Sequence, residues 1–129
     1  MSKSIVHRAG GQVHQLGPYG IETLIEREEE GGLTAYRVHI APGERTAVSY
    51  HKVAEELYYV LAGSGTAVLD GQPQAIKAGD LLRLPPGTTH GFITESGPLH
   101  LLNIHSPGCW PDRDVYFVDG PPPSGFGAC

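Results

Sequence analysis

The stretch LTAYRVHIAPG, residues 33–43, alternates apolar and polar side chains, with Tyr36, Val38 and Ile40 on one face and Arg37 and His39 on the other. Alternation of period two predicts a half-buried strand, and Pro42-Gly43 closes it. Comparable runs follow in TAVSYH, LYYVLAG, TAVLDGQPQAIKAG, LLRLPPG, HGFIT, LHLLNIHSPG and DVYFVDG. Asp70-Gly71 predicts a tight hairpin, Pro85-Pro86 stops a strand, and Gly63-Ser64-Gly65 reads as a turn. Ahead of Leu33 the pattern is weaker. IETLIERE, from Ile21, predicts the first strand and EREEEGG a solvated hairpin loop, while residues 1–19 are polar and Gly-rich and suggest no element. No ten-residue stretch carries a helical stripe. Strands recur about every 8 to 12 residues with turn signals between them, the pattern of an antiparallel sandwich or barrel.

Composition agrees and narrows the partners. Eighteen glycines and eleven prolines in 129 residues suit short strands joined by tight turns. The length suits one domain, residues 1–129, with a barrel core of about 20–118 and a Pro/Gly-rich tail at 119–129. A formal net charge of −5 argues against nucleic acid and anionic membrane as partners and leaves small molecules. No apolar run approaches the ~20 residues of a membrane span, and the first residues lack the apolar region of a signal peptide. The expected location is the cytoplasm. Cys109 and Cys129 are expected as unpaired thiols, since two cysteines near one end are not a disulfide framework.

Three side chains stand out for chemistry: His51, Glu56 and His90. Imidazole nitrogen and carboxylate oxygen suit a divalent transition metal (Mn, Fe, Co, Ni, Cu or Zn), and two histidines with one carboxylate can hold one face of the ion and leave positions open. Other candidates carry less weight. His7 and His14 are too far apart for a clear site. Arg37 and His39 share a face that suits the barrel exterior or a subunit contact. His100 and His105 have opposite parity, so only one of them can point inward. All of these are expected as packed or surface residues rather than ligands. Tyr58, Tyr59, Phe92 and Trp110 read as core or interface aromatics. The glycines at 63 and 65 are not a phosphate loop, because no Lys-Ser/Thr follows.

The spacing around the three residues resembles the cupin family. From Gly43, five residues lead to Ser49-Tyr50-His51, four more to Glu56 and six more to Gly63, which is the first cupin motif with Ser49 in place of its first histidine. GDLLRLPPGTTH, from Gly79 through Pro85 and Gly87 to His90, resembles the second motif, with Thr94 where an asparagine often stands. LLNIHSPGCWPDRDVYFVDG is similar to the end of small single-domain cupins described as resembling mannose-6-phosphate isomerase. The resemblance implies an all-β fold, a single jelly-roll barrel (double-stranded β-helix), and a homodimer. It also implies metal ligation by His51, Glu56 and His90, with Ser49 contacting water or substrate at the vacated ligand position. On that basis the expected protein is a metal-dependent isomerase, lyase or dioxygenase acting on a small oxygen-rich metabolite such as a sugar, keto acid or hydroxy acid. The alternative is a non-catalytic module, with or without a metal, that binds a sugar or another small molecule.

Overall fold

Ten strands form among the described residues, most of them where the sequence alternates. In the computed structural model, which describes residues 4–123, they are β1 (Val13–Leu16), β2 (Tyr19–Thr23), β3 (Thr34–Ile40), β4 (Ser49–Tyr50), β5 (Glu55–Leu69), β6 (Gln72–Lys77), β7 (Leu81–Leu84), β8 (His90–Ile93), β9 (Leu99–Ser106) and β10 (Tyr116–Phe117). Cys129 and the end of the expected tail lie outside the described residues. All pairings are antiparallel, and the backbone path runs β1-β2-β3-β9-β5-β8-β4-β10, with β6 and β7 also paired to β5. The fold is an all-β jelly-roll barrel. Among the described residues no helix is long and apolar enough to cross a membrane.

β5 joins the two leaves. Its first half, through Gly63, pairs with β9 and β7; its second half, from Ser64, pairs with β8 and β6. The turn expected at Gly63-Ser64-Gly65 is therefore absent: the chain runs on as one strand and changes partners there. The glycines serve this corner. Gly63 has φ of +85°, and a Cβ on it would lie 2.0 Å from the Pro98 carbonyl oxygen; one on Gly65 would lie 2.9 Å from that of Ile93. Close backbone approach and a left-handed φ leave only glycine at position 63. The hairpin at Asp70-Gly71 does form, with both residues at positive φ (49° and 79°), as a two-residue turn between β5 and β6 requires.

The N-terminal region corrects two expectations. The strand expected from Ile21 is the second half of β2, which starts at Tyr19, ends at Thr23 and is preceded by β1 in a hairpin, so residues 13–19 are not without structure. The acidic run 26–30 holds a short 3₁₀ turn, Arg27–Glu29, and is not simply solvated. Glu30 accepts hydrogen bonds from the Trp110 indole N–H (2.7 Å) and the Arg113 guanidinium (2.6 Å), and Arg27 pairs with Asp112. These contacts tie the loop before β3 to the chain after β9.

The inward faces of β3, β9, β5, β7 and β8 build the core from Val38, Ile40, Val60, Leu84, Leu99, Leu101 and Phe92, each no more than 2% exposed. Burying side chains of this kind contributes about 1.5–3 kcal/mol each. The same faces also present polar groups. Register places Glu56 of β5 opposite His105 of β9, Tyr58 opposite Asn103, and Ser49 of β4 opposite His90 of β8.

Candidate metal centre

The barrel interior holds a cavity of about 270 Å³. Its polar floor contains Ser49, His51, Glu56, His90, Asn103 and His105, and its walls are largely apolar and aromatic. His51, Glu56 and His90, far apart in sequence, come together here. His51 Nε2 lies 3.2 Å and His90 Nε2 3.3 Å from Glu56 Oε1. All three are buried, Glu56 at 1% exposure.

Backbone acceptors set the tautomers. His51 Nδ1 is 2.6 Å from the Asp114 carbonyl and His90 Nδ1 is 3.3 Å from that of Thr88. A carbonyl only accepts, so each Nδ1 carries the proton and each Nε2 faces the carboxylate. A neutral ring then aims its lone pair at Glu56 Oε1. Neither His51 Nε2 nor Glu56 Oε1 has an aligned hydrogen-bond partner, and neither ring nitrogen of His105 has one either. His105 Nε2 does approach Glu56 Oε2 at 2.7 Å, but off the direction a hydrogen bond needs. Lone pairs facing a carboxylate at these distances require a cation among them, either a proton or a metal ion. The donor set fits a first-row divalent ion, with Nδ1–H groups fixed by carbonyls as metal-binding imidazoles usually are.

Charge in the cluster follows from burial and contact. Burial works to raise the Glu56 pKa, but the surrounding imidazoles of His90, His105 and His51 outweigh it and hold the carboxyl well below its usual range. Burial works to lower His51, yet its contacts with Cys109 and Glu56 raise it to about 11. For His90 burial prevails and the pKa falls. With no metal, the preferred charge state is an ionised Glu56, a protonated His51 and a neutral His90.

Four residues around the cluster carry roles that the sequence reading did not assign. Asn103 donates from Nδ2 to Glu56 Oε2 (2.9 Å) and to the Leu57 carbonyl (3.0 Å), which orients the carboxylate. Asp114, at φ of 62°, accepts from the backbone N–H groups of Lys52, Val53 and Ala54, so the loop that delivers His51 is folded around one aspartate. His105 points inward and His100 outward, as opposite parity requires, but His105 joins the cluster rather than being an ordinary packed residue. Cys109 is unpaired and buried, with Sγ 3.4 Å from His51 Nδ1. Parity alone could not choose His105, because β9 has apolar residues on both faces (Leu99 and Leu101; Leu102 and Ile104). His39 and His100 meet on the outer face, their ring nitrogens 3.2–3.3 Å apart, away from the cavity. Ser49 lines the cavity beside His90, where the first motif would have an imidazole.

Comparison with known proteins agrees with this architecture. A family model described as a cupin domain matches residues 36–105. Quercetin 2,3-dioxygenase of Bacillus subtilis is 25% identical over 99 residues, covering 77% of this chain and 28% of that protein. A second curated relative is covered over 38% of its length, so the chain spans about a third of the curated proteins it matches. Among solved structures, Streptomyces Pac13, described as a nucleoside dehydratase and also solved with uridine, superposes with a TM-score of 0.75 at 17% identity, covering 90% of this chain and 92% of that one. The polyketide cyclase RemF of Streptomyces resistomycificus gives a TM-score of 0.75 at 22% identity, covering 92% and 87%. At these identities the structural likeness speaks for the fold.

Proposed function

The chain belongs to the cupin family, and from that premise we propose that it is a metal-dependent cupin enzyme whose open site is held by His51, Glu56 and His90. The observation that carries this reading is the set of buried donor atoms aimed at one another without aligned hydrogen bonds. Its similar proteins include a dioxygenase, a dehydratase and a cyclase, all distant. Bound there, a divalent transition metal supplies Lewis-acid polarisation of a substrate oxygen.

The protein's own groups define the rest. Asp114 and Thr88 hold the two imidazoles with Nε2 inward, and Asn103 keeps Glu56 Oε2 turned away from His51 and His90. Ser49 is a short hydroxyl that leaves room for a substrate oxygen or a water where a fourth imidazole would stand. Only in a metal-free pocket is Glu56 free to accept a substrate proton, and its depressed pKa makes it a weak base there. The polar floor and the walls of Tyr19, Ile21, Tyr36, Val38 and Trp110 favour a substrate with one oxygen-bearing end and a flat or partly apolar body. A fully hydroxylated sugar finds fewer partners on such walls. The homodimer implied by the family is part of the proposal. Tyr59, Leu61 and Leu81 stand exposed on the outside of the barrel (43%, 44% and 61%), and sedimentation equilibrium tests the pairing.

The deciding measurement is elemental analysis of tag-free protein after dialysis against each candidate ion. About one equivalent per chain, lost in Glu56→Gln and His90→Ala, supports the reading. If no ion is retained and chelator leaves the melting curve unchanged, the pocket is metal-free. The protonated His51 then supplies the cation, and the protein binds its small molecule by hydrogen bonds alone.

A further inference from the structure

A second group of donors shares His51. One ring nitrogen of His51, one of His105 and Sγ of Cys109 lie within 4.8 Å of one another, and all three residues are buried. One observation points to a ligand among them, and a second shows that the thiol is held in place. His105 is 4% exposed, yet neither of its ring nitrogens has an aligned hydrogen-bond partner. Leaving both unpaired in a dry interior is costly, and packing gives no reason for it. Cys109, 2% exposed, is also fixed in place. Its carbonyl accepts from Thr34 Oγ1 (3.2 Å) and Tyr36 OH (2.5 Å), and its N–H donates to Thr34 Oγ1 (3.0 Å). Its Sγ is therefore held beside the imidazoles by the backbone.

We propose that His51, His105 and Cys109 form a second, sulfur-containing metal-ligand set, which takes a thiophilic divalent ion such as Zn²⁺ and makes up for the imidazole missing at Ser49. The inference rests on the metal-binding reading above and deepens it. Sharing His51 makes the two sets alternatives for one ion: the first uses Nε2 with Nδ1–H on the Asp114 carbonyl, whereas Cys109 lies beside Nδ1 (3.4 Å), so the second needs Nδ1 deprotonated and that carbonyl bond given up. The set with Glu56 and His90 offers nitrogen and a hard oxygen; the set with His105 and Cys109 offers nitrogen and a soft sulfur, and softness of the donor sorts ions between them. Two imidazoles and a thiolate leave a fourth tetrahedral position open. On ligation the Cys109 S–H bond, which points to the Arg113 carbonyl (3.2 Å), and the Nδ1–H bond of the protonated His51 break, metal–sulfur and metal–nitrogen bonds form, and both protons leave to solvent with no change of oxidation state.

Cobalt is the probe, because Co²⁺ bound to a thiolate gives a near-ultraviolet charge-transfer band that nitrogen and oxygen ligands do not. The titration uses the full chain carrying Cys129→Ser, since the sequence has only two cysteines. The expected result is a charge-transfer band that grows with the binding isotherm, persists in His90→Gln and disappears in Cys109→Ser. That last change leaves the backbone bonds to Thr34 and Tyr36 in place. X-ray absorption on the zinc-loaded, unsubstituted chain needs no variant and should find a sulfur neighbour at about 2.3 Å. Cobalt binding without the band, a band that survives Cys109→Ser, or a purely nitrogen and oxygen shell around zinc would overturn this set while leaving the metal-binding reading standing. Failure to bind either ion overturns both.

Discussion

Ser49 is 7% exposed, sits opposite His90 on the paired strand and lines the cavity. Side chains directly opposite on paired strands have Cβ atoms about 4.5–5.5 Å apart, so an imidazole at 49 reaches the ion that His90 reaches. Ser49→His is expected to tighten metal binding by about tenfold or more, some 1.4 kcal/mol. It should also change rate or specificity, because it closes a position open to substrate. Calorimetric titration of both proteins, with melting curves, checks this. If the folded variant binds metal no better than the parent, or loses about 1–3 kcal/mol to overpacking with no gain in affinity, Ser49 is a packing residue beside a metal-free pocket. His51, Glu56 and His90 were legible at this scale because their chemistry and their spacing coincide. Asn103 and Asp114 were not, since an asparagine in a strand and an aspartate in a loop have no distinguishing neighbours in sequence.

Strands and loops carry the next level of control. β5 crosses from one leaf to the other at Gly63, and this corner fixes the direction in which the strand bearing Glu56 runs. Gly63→Ala must accommodate a Cβ 2.0 Å from the Pro98 oxygen at φ of +85°. A loss of at least about 2 kcal/mol is expected, read by denaturant unfolding, because left-handed strain and a backbone clash add. A loss below 0.5 kcal/mol, the range of ordinary surface changes, would mean that the corner is not built this way. The loop clasp at Glu30 behaves differently. Its contacts with Arg113 and Trp110 hold the Glu30 carboxyl below its usual 4.5. A depressed carboxyl stabilises the fold above the unfolded pKa, and that contribution is lost as pH falls through the folded value. Trp110, the one tryptophan in the chain, donates directly to Glu30. Its fluorescence should therefore titrate with a midpoint below 4.5, and Glu30→Gln should abolish that step. An unchanged titration in the variant would assign the step elsewhere.

For the molecule as a whole, a metal that binds only the folded chain must stabilise it. Binding at a hundred times the dissociation constant contributes about 2.7 kcal/mol. The melting temperature is expected to rise on adding the cognate ion and to fall back in chelator, and Glu56→Gln should remove the response. A melting curve indifferent to every candidate ion would leave the protonated His51 as the cation of the cluster. The ion must displace that proton, and in exchange the buried ligand atoms of His51, Glu56 and His90 acquire a shared partner.

The sequence by itself determined the all-β class, most of the strands and the meeting of His51, Glu56 and His90. Alternation, turn residues and motif spacing are local properties, and they survive as such in the folded chain. Tertiary structure decided the rest. The glycines at 63 and 65 look like a turn in isolation, yet the strands on either side of β5 make that segment a corner within one continuous strand. His105 becomes part of the cluster only because β9 pairs with β5 in the register that sets it opposite Glu56. Cys109 comes beside His51 across 58 residues of sequence, held there by hydrogen bonds to β3. Contacts between segments so distant depend on pairing and burial across the whole barrel, and no window of the sequence contains them.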